Sequence, residues 1–589
     1  MKLRSLLTSA LINACALSPS WSSSLSDEGR ISLTRPSFMA PPSETTQEPQ
    51  ASSSTITPSS SLKTIANDTL IPILDFLPAA DLSRLWGTGD KRTQQRLAQV
   101  IQIFALEYNA PPRASKFYPR KNIFKPLPVN FFNIMASRFP FLTELNIPCY
   151  QISSEVFAEA IPLLSGLKKL QLSGSNRWES TILPENFSQL TNLTHLKMAD
   201  NRFQNDSLPD CIFPLTQLVS LDISSNSLSI LPKEFSQFRK LKHLDVTNNP
   251  FNDERLPSVL LSLPDLHSLA AAHCHLRYLP DTLSRLQNLT DLDLSHNSLS
   301  ENAASEGITT SPYLMRLNLR SCDLITLPKN LSHSINLTSL DISDTQFSDE
   351  TLPPVISSLT SLRSLTATRC NLLHLPNLSR LQYLTDLRLD DNNIGQDLTS
   401  LDQISLLTNL RTLILRNNGL TGYQNFFQLP DLTDLDLSHN SLSGNASPQG
   451  PITSTRLMRL NLEQCNLSTC LEILFEFPML TALNLSYNNF ENDKFPEKIL
   501  LLSQLKELNV GGRFLKSLPE EIVNLSHLTH LTINSYNFDV TSLLPLLKLG
   551  HLMMVDVKHD QYLKSNLSTE LQPYRNIFKD FDSSGIDSF

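Results

Sequence analysis

Cysteine side chains recur at a regular spacing through the middle of the chain. Cys274, Cys322 and Cys370 follow one another at equal intervals, and Cys465 continues the series. Thiols can form disulfides or bind metal ions, but cysteine-based metal sites usually contain pairs such as Cys-x-x-Cys, and that motif does not occur in this sequence. What these thiols can do therefore depends on the elements that carry them.

The usual sequence signatures of enzymes are absent. There is no GxGxxG, P-loop, HExxH or GxSxG motif, and glycine accounts for only 15 residues. A net charge of −9 lacks the concentrated positive charge that neutralises phosphates, so nucleic acid is disfavoured as a partner. No stretch beyond the N-terminus reaches the about 18 apolar residues needed to cross a bilayer. We expect no catalytic site, no cofactor, no metal and no integral membrane segment.

The cysteines belong to a repeated unit, Leu-x-x-Leu-x-Leu-x-x-Asn-x-Leu, which reads LTDLDLSHNSL at both 289–299 and 432–442. Counting the first leucine as position one, positions four and six place two leucines on one face of a short strand, and position nine turns inward. One unit cannot bury its leucines alone, so the units must stack. Eighteen units begin at Leu142, Leu167, Leu193, Leu218, Leu241, Leu266, Leu289, Leu314, Leu337, Leu362, Leu384, Leu410, Leu432, Leu457, Leu480, Leu505, Leu528 and Leu552.

This pattern resembles the leucine-rich-repeat family over about 70% of the chain. The resemblance implies an α/β repeat solenoid, a leucine-rich-repeat horseshoe with a parallel concave sheet. Extracellular members of the family usually carry disulfide-bonded caps, and the cysteine clusters for such caps are missing before Leu142 and after Leu552. The expected function is protein binding.

The four cysteines of the series occupy position nine, where a small thiol packs well. Nearest members lie two units apart, roughly 10 Å by the strand spacing, which exceeds the about 7 Å Cα limit for a disulfide. We expect free thiols, which favour a reducing, cytoplasmic location. The alternative is a secreted or surface protein, because Lys2 and Arg4 precede an apolar stretch and the chain contains 13 Asn-x-Ser/Thr sequons.

A block of sequence occurs twice. LTDLDLSHNSLS and the LMRLNL that follows it, at 289–300 and 314–319, recur 143 residues later at 432–443 and 457–462. Such copying is typical of a scaffold enlarged by duplication and is hard to reconcile with one dedicated catalytic centre.

Ligands are expected on the concave strand face, because its outward positions form rows while the inward leucines build the core. Arginines on this face could pair with carboxylates of a protein partner. The candidate partner-binding residues are Asp293, Asn318, Arg320, Asp341, Arg369, Arg388 and Arg416.

The rest of the chain divides by composition. Residues 1–24 form a possible signal peptide or disordered N-terminus, and the Ser/Pro/Thr-rich 25–62 read as a disordered tether. A small helical bundle is predicted at 63–110, a linker and N-terminal cap at 111–141, the repeats at 142–562, and a C-terminal cap and tail at 563–589.

Within the predicted bundle, the run LIPILDFLPAADLSRL resembles the F-box. In that family the F-box docks on a Skp-type adaptor of a cullin ubiquitin ligase, and the repeats select the protein that is ubiquitinated. The resemblance implies a substrate-recruiting F-box/leucine-rich-repeat adaptor of the ubiquitin conjugation pathway. The residues expected to bind the adaptor are Leu70, Ile73, Leu74, Leu77, Pro78, Leu82 and Leu85. The alternative remains a secreted or surface-anchored, receptor-like binding protein without a ligase role.

Overall fold

The structure is a computed structural model that divides into two compact units, Met1–Gln171 and Leu172–Phe589, described separately below. The predicted signal peptide, tether, F-box-like bundle and N-terminal linker all lie outside the described residues. Described are residues 142–146, 154–172, 183–201, 203, 207–278, 283–299, 313–423, 425–442, 451–468, 472–490, 495–512, 515–533, 540–556 and 578–579.

The first unit contains two parallel strands, β1 (Glu144–Asn146) and β2 (Lys169–Gln171). Between them run the helix α1 (Ser154–Ala160) and the 3-10 helix Ile161–Leu164. Phe157 of α1 is buried, as are Ile161 and Leu164 of the 3-10 helix, so the connection between the two strands contributes apolar side chains to the core.

In the second unit, every strand pairs in parallel with the next strand along the chain. This order follows from the repeat, because each unit of 22 to 26 residues forms one turn of the solenoid and places its strand beside the strand of the preceding unit. The strands are β3 (His195–Lys197), β4 (Ser220–Asp222), β5 (His243–Asp245), β6 (Ser268–Ala270), β7 (Asp291–Asp293), β8 (Arg316–Asn318), β9 (Ser339–Asp341), β10 (Ser364–Thr366), β11 (Asp386–Arg388), β12 (Thr412–Ile414), β13 (Asp434–Asp436), β14 (Arg459–Asn461), β15 (Ala482–Asn484), β16 (Glu507–Asn509), β17 (His530–Thr532), β18 (Met554–Asp556) and β19 (Phe578–Lys579).

The return connections are mostly 3-10 helices, and the one α-helix among the described residues of this unit is α2 (Leu398–Asp402). Prolines begin many of them, as at Pro232, whose carbonyl accepts from the Phe235 N–H at 3.0 Å. Proline suits this position because its φ is fixed and no backbone donor is needed. The 3-10 helices are Glu185–Gln189, Asp210–Ile212, Lys233–Gln237, Ser258–Ser262, Leu283–Arg285, Lys329–His333, Pro354–Ser358, Ile394–Gln396, Ile404–Leu406, Phe426–Gln428, Glu472–Glu476, Glu497–Leu501, Glu520–Asn524 and Val540–Lys548.

The prediction of a parallel solenoid is confirmed. All 18 predicted units form a strand that begins two residues after the first leucine. Among the described residues, the leucines at positions one, four and six are buried, as at Leu337 and Leu340, except Leu552 in the last unit, which is partly exposed. The sequence missed one strand, because β19 pairs with β18 in a stretch predicted to be a cap and tail. Phe578 does not follow a leucine pattern, so the repeat motif gave no signal there.

Position nine behaves as predicted. The amide of Asn297, which is 3% exposed, accepts from the backbone of Cys274 and Leu276 in the preceding unit. It also donates to the carbonyls of Ala271 and Leu294, both at 2.8 Å. One side chain therefore satisfies backbone groups that would otherwise be buried without partners.

Candidate binding surface

The strand face is defined as the solvent side of β3–β18, formed by positions three, five and seven of the units. At position five, an Asp or Asn usually accepts a hydrogen bond from the backbone N–H two residues later, as Asp341 Oδ1 does from Ser343 at 2.9 Å. A carboxylate or amide at this position therefore holds the strand end in place. The same bond is formed by Asp222, Asp245, Asp293, Asn318, Asp436, Asn461, Asn484 and Asn509.

This bond changes the interpretation of the predicted row of outward residues. The structure places Asp293, Asn318 and Asp341 side by side in β7, β8 and β9, as the sequence predicted. Each of these three side chains holds its strand end through a hydrogen bond to the backbone. An Asp or Asn at position five therefore does not by itself indicate a ligand-binding site.

Three neighbouring strands depart from the pattern. At position five, β10, β11 and β12 carry Thr366, Arg388 and Ile414, which lie opposite one another in register. Arg388 and Ile414 have no side-chain acceptor. The N–H two residues after Thr366, that of Thr368, donates to Ser343 Oγ at 3.2 Å instead. Three such departures in succession occur nowhere else among the described strands of the second unit. The position-five side chains of β10–β12 therefore do not hold the strand ends and are candidates for ligand contacts.

The predicted arginines fall into two groups. Arg320 and Arg369 both pair with Asp344, through Nε–Oδ2 and Nε–Oδ1 distances of 2.8 and 2.6 Å. Arg388 and Arg416 are exposed and form no ion pair within the described residues. The second pair is therefore the one whose charge is available to a ligand.

Asp344 is the member of this surface that the sequence interpretation missed. Partial burial acts to raise the pKa of its carboxyl, but the hydrogen bond from Arg369 and the charges of Arg369 and Arg320 lower that pKa below its ordinary value. Asp344 occupies position eight, where its φ is +56°. Comparing positions seven and eight of adjacent units would have revealed an aspartate beside two arginines, because stacked units bring these positions together.

The prediction for the four cysteines of the series is confirmed, because Cys274, Cys322, Cys370 and Cys465 are free and buried. The Sγ of Cys322 donates to the Leu294 carbonyl at 3.1 Å, which replaces one of the bonds that an asparagine amide makes at position nine. Burial raises the pKa of the Cys322, Cys370 and Cys465 thiols to about 12 and that of Cys274 to about 11. These thiols are packing groups and are too weakly acidic to be nucleophiles.

The thiols of this series should resist modification in the folded protein. A pKa of about 12, against an ordinary 9.0, lowers the thiolate fraction at pH 8 about a thousandfold. We expect negligible labelling of the four cysteines by a thiol reagent at pH 8, followed by complete labelling in urea without reductant. Mass spectrometry of the peptides measures the extent of labelling at each cysteine. A disulfide joining any two of them would contradict the register.

Within the described residues, no helix has the length and apolar character needed to span a membrane. No cluster of three or more His, Cys, Asp or Glu side chains suited to a metal ion occurs there either.

The fold and the repeats define a leucine-rich-repeat solenoid. Three family models match the chain: a leucine-rich repeat region at residues 124–352, two leucine-rich repeats at 408–447 and a single leucine-rich repeat at 478–493. The matched segments do not include the F-box-like segment. A search of curated proteins found no match.

Two solved structures illustrate the similarity. A leucine-rich-repeat protein of Leptospira interrogans is 27% identical with a TM-score of 0.57, and the match covers 68% of this chain and 98% of that one. The TLR13–ssRNA13 complex is 23% identical with a TM-score of 0.53, and the match covers 72% of this chain and 62% of that one. The second likeness concerns the fold alone. Together, fold and family models support a protein-interaction scaffold.

Proposed function

We propose that the repeats bind a protein partner through the strand face, with the centre of the contact on β10–β12. The observation that carries the proposal is the succession of Thr366, Arg388 and Ile414 at a position that holds an Asp or Asn in most other strands of the second unit. Three adjacent units lack the hydrogen bond between the position-five side chain and the backbone, and this lowers stability. A role of these residues in binding would explain why they stand there.

The chemistry of this centre suits carboxylates of a partner. Arg388 and Arg416 present planar guanidinium groups that can bind a carboxylate through two parallel hydrogen bonds. Ile414 is half-buried, lies opposite Arg388 on the neighbouring strand and precedes Arg416 by two residues, and it offers an apolar contact. Arg320, Arg369 and the structural row of Asp293, Asn318 and Asp341 would form the edge of the contact.

We propose further that residues 63–110 recruit a Skp-type adaptor, which makes the protein a substrate-selecting subunit of a cullin-type ubiquitin ligase. The support is the F-box-like run and its concentration of large apolar residues. A segment of about 45 residues buries too little surface to hold them all, so another surface must cover some of them. The adaptor contact would be formed by Leu70, Ile73, Leu74, Leu77, Pro78, Leu82 and Leu85.

A secreted binding protein is the second candidate. Asn288, the acceptor of an Asn-Leu-Thr sequon, is exposed on the outer side of its unit, where a glycan would find room. Its Nδ2 donates to the Pro264 carbonyl at 2.9 Å, a bond that glycosylation would alter. Localising the protein and identifying its mature N-terminal residue discriminates the two candidates, because cleavage near residue 24 requires export.

Charge reversal tests the strand-face contact. Changing Arg388→Glu together with Arg416→Glu should weaken binding of the partner recovered from the native cell about 100-fold, because two favourable charge pairs become repulsive. The affinity of the purified partner is measured by calorimetry. The matched control changes Arg239→Glu and Arg285→Glu, two exposed arginines on the connecting side, and should leave the affinity unchanged. Equal affinities for all three proteins would exclude this centre.

A further inference from the structure

Exposed apolar side chains collect at one edge of the strand face. We define the entrance edge as position two of each unit together with the two residues that precede its first leucine. In the units of β8, β9 and β11, this edge carries Tyr313, Met315, Ile335 and Tyr383, which are between 41% and 60% exposed. In the units of β3–β7, none of the described edge residues is a large exposed hydrophobic side chain. The apolar row is therefore a local feature of the edge.

Contacts between neighbouring units show how the row is assembled. The Arg363 guanidinium lies over the Tyr383 ring, 5.9 Å from its centroid, so position two of one unit meets the residue before the first leucine of the next. The same stacking brings Met315 of the β8 unit to the chain segment that holds Ile335. The row runs from the β8 unit to the β11 unit, which is three strand spacings or about 14 Å.

Positive charge lies beside the apolar row. Positions two to seven of the β10–β12 units hold four arginines and two aspartates, a surplus of two positive charges. The two aspartates, Asp386 and Asp390, accept hydrogen bonds from threonine hydroxyls at 2.5 and 2.9 Å. The arginines are all exposed and form no ion pair within the described residues, and they are Arg363, Arg388, Arg411 and Arg416. A partner surface that covers the row therefore meets available guanidinium groups.

A second group of exposed edge residues has different surroundings. Met458 and Met479 lie at the entrance edge in the units of β14 and β15. The arginines beside them, Arg456 and Arg459, form ion pairs within the chain. The stretch from β8 to β12 differs because its apolar row adjoins arginines whose charge is available.

The backbone along the row is already hydrogen-bonded. The N–H of Thr338 donates to the Met315 carbonyl, that of Arg363 to the Thr338 carbonyl and that of Thr385 to the Arg363 carbonyl, each at 2.8 Å. An extended segment finds no free N–H groups in this ladder, so a partner must make its contacts through side chains. A helix suits such a contact, because its own backbone is bonded internally and it presents one apolar stripe.

We propose that the row of Tyr313, Met315, Ile335 and Tyr383 docks an amphipathic helix of the partner protein, with acidic side chains beside the apolar stripe of that helix. This inference rests on the proposed role of the strand face in binding and extends the contact on β10–β12 to the entrance edge. A helix rises about 1.5 Å per residue, so about ten residues cover the row. Acidic side chains along one flank of the helix would pair with the arginines beside the row.

Peptide selection tests the docking of a helix. The probe is a library of random 18-residue peptides displayed on phage and selected on the full chain. We expect enriched peptides to carry apolar residues three and four positions apart together with Asp or Glu, and their circular dichroism to become helical on binding.

Variants locate the selected peptide on the chain, with its affinity measured by calorimetry. Ile335→Ser and Tyr383→Ser should each weaken binding about 10-fold, and Arg363→Glu together with Arg411→Glu about 100-fold. The matched control is Met479→Ser, because Met479 is exposed and occupies the edge position of Tyr383 in another unit. This control should bind the peptide as the wild-type chain does.

Several outcomes would overturn the helix-docking row: no enriched peptide, peptides without the helical pattern, or full affinity in the Ile335→Ser and Tyr383→Ser variants. Peptides that depend on Arg388 and Arg416 alone would overturn the row while leaving the proposed function intact. Helix binding at the row, with unchanged partner affinity in the Arg388→Glu, Arg416→Glu variant, would do the reverse. A dimer of the wild-type chain in analytical ultracentrifugation that is lost in Ile335→Ser with Tyr383→Ser would overturn the proposal in favour of a second copy as the occupant. Circular dichroism of each variant confirms that the repeats are folded.

Discussion

Replacing Asn297 by alanine is expected to lower the free energy of unfolding by about 3–5 kcal/mol. The amide accepts from the Cys274 and Leu276 N–H groups at 2.9 and 3.0 Å and donates to the Ala271 and Leu294 carbonyls. Alanine leaves these buried groups unpaired, and each such group costs about 1–3 kcal/mol. The loss is large because one side chain joins two adjacent units.

Urea unfolding followed by circular dichroism measures the effect, and hydrogen exchange of the Cys274 and Leu276 amides localises it. The matched control is Thr345→Ala, which alters the same position nine of another unit. Thr345 is as deeply buried, but its hydroxyl makes only one bond, to Ser343 at 3.3 Å, so about 1 kcal/mol is expected. Equal effects of the two substitutions would refute the view that the asparagine amide joins the units.

Changing Leu77→Asp together with Leu82→Asp is expected to abolish binding of the Skp-type adaptor. Burying two carboxylates in an apolar contact without partners costs several kcal/mol, about a thousandfold or more in affinity. Co-purification of the adaptor with the wild-type and variant chains is the measurement. Lys91→Asp, in the polar stretch after the F-box-like run, is the control for added negative charge and should retain the adaptor.

Two outcomes would contradict the adaptor proposal. Absence of adaptor binding by the wild-type chain excludes the ligase role. Loss of the repeat signal in circular dichroism of the double variant shows instead that residues 63–110 form a cap required by the repeats.

The repeat motif predicted most of the fold because it is local and periodic. A pair of aliphatic residues at positions four and six, such as Leu340 and Ile342, fixes the strand, its register and its buried face at once. Position nine was equally predictable, since an inward asparagine such as Asn297 supplies both donors and acceptors for the backbone there, and a cysteine such as Cys322 supplies a donor. The last strand, at Phe578, was missed because it pairs without the motif.

The binding surface was predicted only in part. Sequence placed Arg320, Arg369 and Arg388 on the exposed face but could not separate engaged from available charges, because Asp344 reaches both Arg320 and Arg369 from an intervening unit. The structural task of Asp341 was also invisible, since its bond to the Ser343 N–H depends on the local backbone path. The ion pairs of Asp344 depend on how adjacent units stack, and the bond of Asp341 depends on the backbone that follows its strand.

Arginine footprinting with the partner bound tests the central claim most directly. The full chain is treated with phenylglyoxal, with and without the partner, and modification of each arginine is followed by mass spectrometry. Binding through β10–β12 predicts that Arg388 and Arg416 lose their modification in the complex, while Arg239 and Arg285 on the connecting side are modified as before. Protection of Arg239 and Arg285, with Arg388 and Arg416 still modified, would contradict the strand face as the binding surface.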